Sequence, residues 1–290
     1  MKLGLGVSLS EASTNSIATL FRDAGLVNEY SILFTGASAN ATHLVVSQDA
    51  SWEPTDDDEA WSWSFWMKST RSSPGSHGTH EFLIGCGTGS EPDGFRLYFP
   101  SSSTNVRLYF SSGDYSGSAD FVNKLYAYDY SSATGASDLR DGNWHHFAFM
   151  FKEGGPAKIW NNGNAVTLST SAGNIPDGAL NSFEVDSDND GNYDLHMGSN
   201  EVNGNGYKGY MDEVSAWRGE LTDDIVTAIY NGGTPIALDS DSGNYTLSNE
   251  LVAWWRMEEN TGTTVADSSS NSNTATLTNS PTFASEVPTA

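Results

Sequence analysis

Apolar and polar side chains alternate over short segments along most of this chain, and helical spacing is rare. In residues 60–67, aromatic side chains recur at every second position with serines between them. Because successive side chains of a strand point to opposite faces, this segment predicts a strand with one face in a core. Similar segments, separated by clusters of Gly, Ser, Asn and Asp, recur over residues 30–217. The pattern predicts an all-β protein, a two-sheet antiparallel sandwich or jelly roll.

Turn-rich segments between these strands predict two hairpins. Residues 95–99 and 106–110 predict the first. Residues 158–160 and 165–168 predict the second, across the turn at 161–164, whose Asn and Gly residues suit a tight connection.

One segment, Leu221–Gly232, has clear helical character. Thr222 is placed to cap its N-terminus, two aspartates follow where they complement the helix dipole, and Gly232 is expected to end it. A second short helix is expected at residues 16–23.

The predicted organisation has three parts. They are an N-terminal arm (1–29), a jelly roll (30–232) and a C-terminal extension (233–290). The extension is rich in Ser, Thr, Asn and Asp, but its segment 251–257 is apolar and predicts a strand that must be buried.

The composition is strongly acidic, with a formal net charge of −24 and only 13 Lys and Arg residues. Nucleic-acid binding depends on basic residues that neutralise phosphates, so no nucleic-acid partner is expected. No apolar run approaches the ~20 residues of a spanning helix, and no membrane insertion is expected. The single cysteine, Cys86, cannot form an internal disulfide.

The acidic segment 186–194 places short oxygen-bearing side chains at the spacing that calcium requires. Side chains at the first, third and fifth positions converge when glycine at the sixth allows a sharp turn, and Gly191 stands there. Met197 occupies the twelfth position, where a helix-loop-helix site has Glu, so the ninth-position carboxylate must close the shell. We therefore predict Ca²⁺ as the cofactor, with an acidic solvated turn as the alternative. The predicted ligands are Asp186, Asp188, Asp190, Asn192 and Asp194.

Two histidines lie in the segment 144–151, which is apolar at most positions and predicts a central strand covered on both faces. His145 and His146 stand beside Trp144 in this strand. At least one of them is expected to be buried and hydrogen-bonded rather than catalytic.

Four segments occur in a recognisable order, namely Tyr30–Gly36, Trp63–Lys68, Asp141–Phe147 and Gly209–Val214. The last is followed by Leu-Thr-Asp-Asp and then Tyr-Asn-Gly-Gly. Over about residues 30–232 the chain resembles the concanavalin A-like, laminin G-type jelly-roll superfamily, of the kind found in bacteriophage virion proteins.

The resemblance implies a role for the aspartate of the closing strand, which in this family often helps to hold a structural calcium ion. The matching residue is Asp212. The alternative is that Asp212 caps backbone amides or pairs with Arg218.

The apolar segment 251–257 and the residues after it look like the strand that usually opens such a domain. Either it pairs beside residues 30–34 within the same sandwich, as in a circular permutation, or it pairs with a neighbouring subunit.

Some members of the superfamily are glycoside hydrolases with Glu-x-Asp-x-Glu or Glu-x-Asp-x-x-Glu on one strand. Glu184-Val185-Asp186-Ser187-Asp188 is a near match. Asp188 replaces the second Glu that a retaining pair needs, and the aspartates are better explained as calcium ligands. No enzymatic activity and no catalytic residue are predicted.

Carbohydrate-binding members of the superfamily stack exposed aromatic side chains on sugar rings. Most aromatic residues here alternate on strands and are expected in the core. Those in loop-like contexts are candidates for exposed, sugar-binding positions. They are Trp52, Tyr115, Tyr193 and Tyr207, with Tyr128 and Tyr130 in similar contexts.

The leading hypothesis is a non-enzymatic structural or adhesive protein of a virion surface, such as a capsid decoration or fibre-associated protein. It rests on the resemblance, the arms at both ends, and the absence of a convincing export signal in residues 1–10. Other virion proteins, further copies of the chain and host glycans are the expected partners. The alternative is a free, extracellular carbohydrate-binding lectin, and a glycoside hydrolase relative ranks third.

Overall fold

A computed structural model of the protein describes most of the chain, and all structural statements below concern these residues. They are 26–36, 39–47, 51–54, 60–71, 80–86, 94–101, 106–111, 126–130, 139–168, 174–175, 180, 194–200 and 205–290.

Short strands dominate the described residues, as alternation predicts. In chain order they are β1 (Ser31–Thr35), β2 (His43–Val46), β3 (Ala60–Ser69), β4 (Glu81–Gly85), β5 (Gly94–Phe99), β6 (Val106–Ser111), β7 (Tyr126–Tyr130), β8 (His145–Lys152), β9 (Lys158–Asn161), β10 (Asn164–Ala165), β11 (Leu195–Met197), β12 (Lys208–Trp217), β13 (Leu251–Trp255), β14 (Thr264–Val265), β15 (Ala275–Thr278) and β16 (Thr282–Ala284).

These strands form two antiparallel sheets. Sheet A has the order β10-β9-β8-β3-β12-β1-β16, and β13 also pairs with β12. Sheet B has the order β14-β15-β2-β11-β4-β5-β6-β7. The all-β jelly-roll sandwich is confirmed, and so are both hairpins, because β5 pairs with β6 and β9 pairs with β10.

The tight turn of the second hairpin is explained by its two central residues. Asn162 has φ 48° and Gly163 has φ 78°. Asparagine and glycine tolerate this left-handed backbone, which matches the twist of the flanking strands.

The main core lies between the inner faces of the two sheets. Trp61, Trp63 and Phe65 of β3 are fully buried there, together with Phe147 and Phe149 of β8. The alternation in residues 60–67 therefore identified the core face correctly. β8 lies between β3 and β9 and is buried on nearly all positions, so the predicted central strand is also confirmed.

A second, smaller core covers part of the outer face of sheet A, the face turned away from sheet B. Helix α1 (Asp223–Tyr230) packs there through Ile225, Val226 and Ile229. Ser62 and Ser64, on the polar side of β3, are consequently buried as well.

Helix α1 has the predicted N-cap but a different end. The Thr222 hydroxyl accepts a hydrogen bond from the Ile225 amide at 3.3 Å. Asn231 adopts the left-handed conformation (φ 45°) that closes the last turn, so the helix ends before Gly232. The expected helix at residues 16–23 lies outside the described residues.

The strand expected at 251–257 is β13, and its neighbour differs from the one expected. It pairs with β12 of the same chain, with Val214 opposite Trp255 and Ser215 opposite Trp254. The segment 30–34 was the wrong neighbour, because β1 is already paired with β12 on one side and β16 on the other. Across the part of the chain described, no helix has the length and apolar character needed to span a membrane.

Candidate ligand-binding surface

Most of the predicted calcium loop falls where the structure describes nothing. Asp186, Asp188, Asp190 and Asn192 lie outside the described residues, and so does the near match to a glycosidase strand at 184–188. Asp194 is described and immediately precedes β11 of sheet B. Calcium binding by this loop therefore stays a prediction.

Asp212 lies on strand β12, on the outer face of sheet A. Its carboxylate accepts hydrogen bonds from Asn28 Nδ2 at 3.0 Å and from the Glu213 amide at 2.9 Å. The alternative pairing is not formed, because Arg218 Nε donates to the Glu53 carbonyl at 2.7 Å. Within the described ranges, no group of three or more His, Cys, Asp or Glu residues is arranged to hold a metal ion.

A β-bulge explains why two consecutive acidic side chains share that outer face. The four residues 212–215 of β12 stand opposite the three residues 64–66 of β3, and Glu213 has φ 49°. The extra residue turns Asp212 and Glu213 to one side of the sheet. Glu213 accepts hydrogen bonds from Trp254 Nε1 at 2.5 Å and Arg256 Nε at 3.4 Å.

Burial dominates the electrostatics of this acidic pair. It raises the pKa of Glu213 to about 7 against the opposing effect of Arg256, and raises the pKa of Asp212 well above its ordinary value, with the Glu213 charge adding to the shift. Asp212 is 0% and Glu213 4% exposed. Neither carboxyl group is accessible to a sugar, so the acidic pair is not a binding surface.

Two predicted sugar-binding aromatics are in the wrong environment, because the structure buries them. Trp52 is fully buried and stacks on Trp61 with ring centroids 6.1 Å apart. Tyr207 is fully buried against Phe34 at 6.2 Å. Both positions looked like loops in the sequence, but loops at the ends of a sandwich can close its core.

Sugar binding by the other predicted aromatics stays a prediction. Tyr115 and Tyr193 lie outside the described residues, and Tyr128 and Tyr130 belong to strand β7 rather than to a loop.

Trp144 is the exception among the tryptophans. All nine lie within the described residues, and the other eight are at most 3% exposed. Trp144 is partly exposed just before β8, and its ring centroid lies 6.2 Å from that of Tyr210, also partly exposed, at an interplanar angle of 45°. We call this pair the aromatic ledge.

Strand alternation places the ledge on the outer face of sheet A. Ala148 and Met150 of β8 pack into the second core on that face, and Trp144 shares their alternation. Tyr210 alternates with Met211, which is in the main core. Tyr230, at the end of α1, stacks on Trp66 at 5.8 Å, and Trp66 precedes by two positions Lys68, the residue of β3 opposite Tyr210.

Two lysines and one leucine border the ledge. Leu33 and Lys68 are the residues of β1 and β3 opposite Tyr210, and Lys208 precedes Tyr210 by two positions on the same face. Lys208 is exposed, whereas Leu33 and Lys68 are partly exposed. Lys68 Nζ pairs with Glu286 Oε1 at 2.7 Å. An open aromatic surface with charged groups at its border is suited to a ligand with both apolar and hydroxyl-bearing faces.

The two histidines differ from each other. His145 Nε2 lies 3.0 Å from Asp141 Oδ1, and the residue is 6% exposed, as expected for a buried, hydrogen-bonded histidine. His146 is fully buried beside Trp66, neither ring nitrogen has a hydrogen-bond partner, and burial lowers its pKa to about 3. It is therefore neutral at neutral pH.

Sequence reasoning missed the ledge because it assigned Trp144 to a structural motif and Tyr210 to the closing strand. A usable signal was present, since Trp144 stands in the alternation opposite to Phe147 and Phe149. The sequence did not indicate whether other parts of the chain would cover that outer face of sheet A.

The fold and sequence can now be compared with known proteins. A laminin G family model described as "Concanavalin A-like lectin/glucanases superfamily" matches residues 38–227. The chain therefore belongs to this superfamily, as the resemblance implied. A comparison with curated proteins finds no match.

Similar solved structures come from several organisms. A candidate carbohydrate binding protein from Bacteroides ovatus ATCC 8483 is 12% identical, with TM-score 0.54; the match covers 91% of this chain and 62% of that one. A heptameric SAP-like pentraxin from Limulus polyphemus is 13% identical, with TM-score 0.48 and coverage of 88% and 97%. The CBM40 module of a Ruminococcus gnavus sialidase, bound to α2,3-sialyllactose, is 17% identical, with TM-score 0.42 and coverage of 69% and 97%.

The family match defines a class, a lectin-like jelly roll, and the Bacteroides ovatus neighbour is described as a carbohydrate binding protein. The chain spans 62% of the length of the Bacteroides ovatus protein. The similarity therefore covers only part of that protein, and at 12% identity it concerns the fold alone.

Proposed function

We propose that this protein is a non-catalytic carbohydrate-binding module that holds a glycan on the aromatic ledge of Trp144 and Tyr210. One observation carries the proposal: eight tryptophans are buried in the cores, and the ninth lies partly exposed beside a partly exposed tyrosine on a sheet face. The membership in a lectin superfamily and the carbohydrate-binding description of the Bacteroides ovatus protein support it.

The chemistry of the ledge fits a sugar ring. A pyranose has an apolar face of C–H groups, which packs on an aromatic ring, and a border of hydroxyl groups, which need hydrogen-bond partners. Trp144 and Tyr210 supply the rings. Lys208 and Lys68 can donate to hydroxyl oxygens at the border. Trp144 Nε1 is itself covered and has no acceptor, so the side chain offers its ring rather than its N–H.

The absence of catalysis is part of the proposal. Glycoside hydrolysis needs two carboxyl groups that reach the scissile bond from both sides. The acidic pair of the outer face, Asp212 and Glu213, is buried and engaged by Asn28, Trp254 and Arg256. It supports an assignment as a binding module.

Two finer predictions from the sequence belong with this proposal. The first is that calcium bound by the loop at 186–194 stabilises the module. The second is that the module serves on a virion surface, with other virion proteins and copies of itself as partners; mass analysis of particles from the source organism would test it. The alternative is that the protein acts outside the cell as a free lectin.

A glycan array followed by calorimetry tests the proposed function. We expect the intact protein to bind at least one neutral glycan, and Trp144→Ala to weaken that binding by about tenfold or more, since truncation of a central aromatic anchor commonly costs about 2 kcal/mol. Tyr210→Ala should act in the same direction.

Matched controls separate stacking from loss of fold. Trp144→Phe keeps a ring and should retain most of the affinity, whereas Tyr30→Ala removes a partly exposed tyrosine outside the ledge and should leave binding unchanged. The proposal is wrong if the intact protein binds no glycan, or if Trp144→Ala binds as tightly as the intact protein.

A further inference from the structure

The connection between β15 and β16 carries the chain from sheet B to sheet A through residues 279–281. Asn279 has φ 58° and Ser280 has φ 62°. Among the described residues, this is the one place where two consecutive non-glycine residues have a positive φ. Glycine and asparagine tolerate a left-handed backbone, but serine does so at a cost. The connection is therefore strained at Ser280.

The short length of the connection and its proline add to this strain. Three residues cross between two packed sheets, which lie ~10 Å apart. Pro281 follows Ser280, and the residue before a proline favours an extended backbone, which Ser280 does not have. Asn279 Nδ2 donates to the Ala41 carbonyl at 3.0 Å and holds the bend in place. A more extended connection would relieve the strain.

Strand β16, directly after the connection, lies at the edge of sheet A as the structure describes it. It pairs with β1, with Ile32 opposite Phe283 and Leu33 opposite Thr282. Phe283 is partly buried and packs against the main core. The strand has only three residues, so it is held by few backbone hydrogen bonds.

The residues after β16 are held by side-chain and backbone contacts. The Glu286 carbonyl accepts a hydrogen bond from Ser31 Oγ at 2.6 Å, and Glu286 Oε1 pairs with Lys68 Nζ at 2.7 Å. Ala290 lies against Gly233, because a Cβ added to Gly233 would be 3.1 Å from Ala290 Cα. These contacts join residues 281–290 to β1, β3 and the residues after α1. A second copy of the chain offers the same partners in the same geometry.

We propose that residues 281–290 exchange between two copies of this chain, so that β16 of each copy pairs with β1 of the other, and residues 279–280 act as the hinge. Exchange keeps the contacts of the segment, because the partner's segment is identical, and it relieves the strain in two hinges. Short connections under strain favour such exchange, and reciprocal exchange between two copies gives a symmetric dimer. The proposal would stand if the aromatic ledge bound nothing.

The exposed edge left by an open hinge favours a second copy as the partner. Without β16, β1 has unpaired backbone groups at the edge of sheet A, and the main core loses Phe283. Such an edge is a template for a strand from another chain. Residues 281–290 of a second copy match this edge in register and in side chains, including the pair of Lys68 with Glu286 of the partner subunit.

Disulfide trapping with two cysteine variants of the full chain tests the exchange. Leu33 and Thr282 stand opposite each other in an antiparallel pair, at a separation that a disulfide can bridge. The Leu33→Cys and Thr282→Cys proteins are mixed, incubated at millimolar concentration and oxidised. We expect a covalent dimer with one chain of each variant on a denaturing, non-reducing gel. The native Cys86 is buried and common to both proteins.

Two controls make the trapping specific. Thr276→Cys, at an exposed position of β15 before the hinge, replaces Thr282→Cys in the mixture. It should give little covalent dimer with Leu33→Cys, because its strand stays in its own subunit. The double variant Leu33→Cys/Thr282→Cys, oxidised at low concentration, should form the disulfide within one chain. Its failure to do so would contradict the pairing of β16 with β1, on which the proposal depends.

Changes in the hinge should shift the monomer–dimer equilibrium in both directions, as measured by analytical ultracentrifugation. Ser280→Gly removes a left-handed penalty of about tenfold per residue, and the dimer has two hinges, so its Kd should rise about hundredfold. Deletion of Ser280 makes the connection too short to fold back on its own chain and should favour the dimer. Opposite effects of two changes at one residue cannot come from loss of fold.

Two results would overturn the proposal. The first is a mixture of Leu33→Cys and Thr282→Cys proteins that gives no more mixed covalent dimer than the Thr276→Cys control. The second is a dimer whose Kd is the same for Ser280→Gly as for the intact protein, since that dimer would then use another surface.

Discussion

Replacing Glu213 with glutamine should change how the stability of the protein depends on pH. Glu213 is 4% exposed, and its pKa rises from an ordinary 4.5 to about 7 in the folded protein because burial penalises its charge. Between pH 4.5 and about pH 7, the folded state therefore binds more protons than the unfolded state. It follows that this residue stabilises the fold at low pH, and that the contribution is lost as the pH rises towards 7.

The size of the effect follows from the two pKa values. A pKa that moves from 4.5 to about 7 corresponds to about 3 kcal/mol in the free energy of unfolding, most of it lost between pH 5 and pH 8. Glutamine keeps an oxygen that accepts from Trp254 Nε1 but does not titrate. We expect the free energy of unfolding of Glu213→Gln, relative to the intact protein, to rise by about 2 kcal/mol from pH 5 to pH 8.

Urea unfolding at pH 5, 6, 7 and 8 measures this difference. Comparison with the intact protein is needed because two buried histidines act in the opposite direction. Burial lowers the pKa values of His146 and His196 to about 3, so the protein loses stability through them as the pH falls below 6.5. Glu250→Gln, at an exposed position, serves as control and should show no such change. Parallel curves for Glu213→Gln and the intact protein would refute the reasoning.

His146→Phe removes two buried ring nitrogens without hydrogen-bond partners, so we expect the free energy of unfolding at pH 7 to rise by about 1–2 kcal/mol in urea melts; a loss of stability would count against this account of the site. Thr222→Ala removes the oxygen that caps helix α1 and should cost about 1 kcal/mol, whereas Thr222→Ser should cost much less; equal costs would show that the cap contributes nothing. Calcium at a hundredfold excess over its Kd should stabilise the protein by about 2.7 kcal/mol in thermal or urea melts. Asp188→Ala and Asp190→Ala should abolish that response, and an unchanged response would remove the calcium assignment.

Much of the fold was predictable because the local sequence patterns agree with the way in which the side chains face the core. The alternation in residues 60–67 identified a core face, since an inward position in a strand is fixed by its period of two. The turn at Asn162 and Gly163 was predictable because few residues tolerate its backbone. Thr222 marked the start of α1 because few side chains cap an N-terminus well.

The partner of β13 was not predictable, because strand pairing between segments far apart in the chain leaves no local trace. The segment had to be buried, and it is, but the choice between β1 and β12 depended on β16 occupying the free edge of β1. The bulge at Asp212 and Glu213 had the same difficulty, since one extra residue in a strand is visible only against its neighbour.

The aromatic residues show where sequence reasoning reached its limit. Trp52 looked exposed because it stands in a loop, yet it closes the main core against Trp61. Trp144 looked structural because it stands in an apolar strand segment, yet it remains partly exposed. In both cases exposure depends on what a distant part of the chain covers, which is a property of packing rather than of local pattern.

Fluorine NMR of protein labelled with 5-fluorotryptophan tests the central claim most directly. Nine tryptophan signals are expected, and Trp144→Phe identifies the one that belongs to Trp144. On titration with a glycan found to bind, we predict that the Trp144 signal shifts in proportion to saturation while those of the eight buried tryptophans change little. A saturating glycan that leaves the Trp144 signal in place would contradict binding at the ledge.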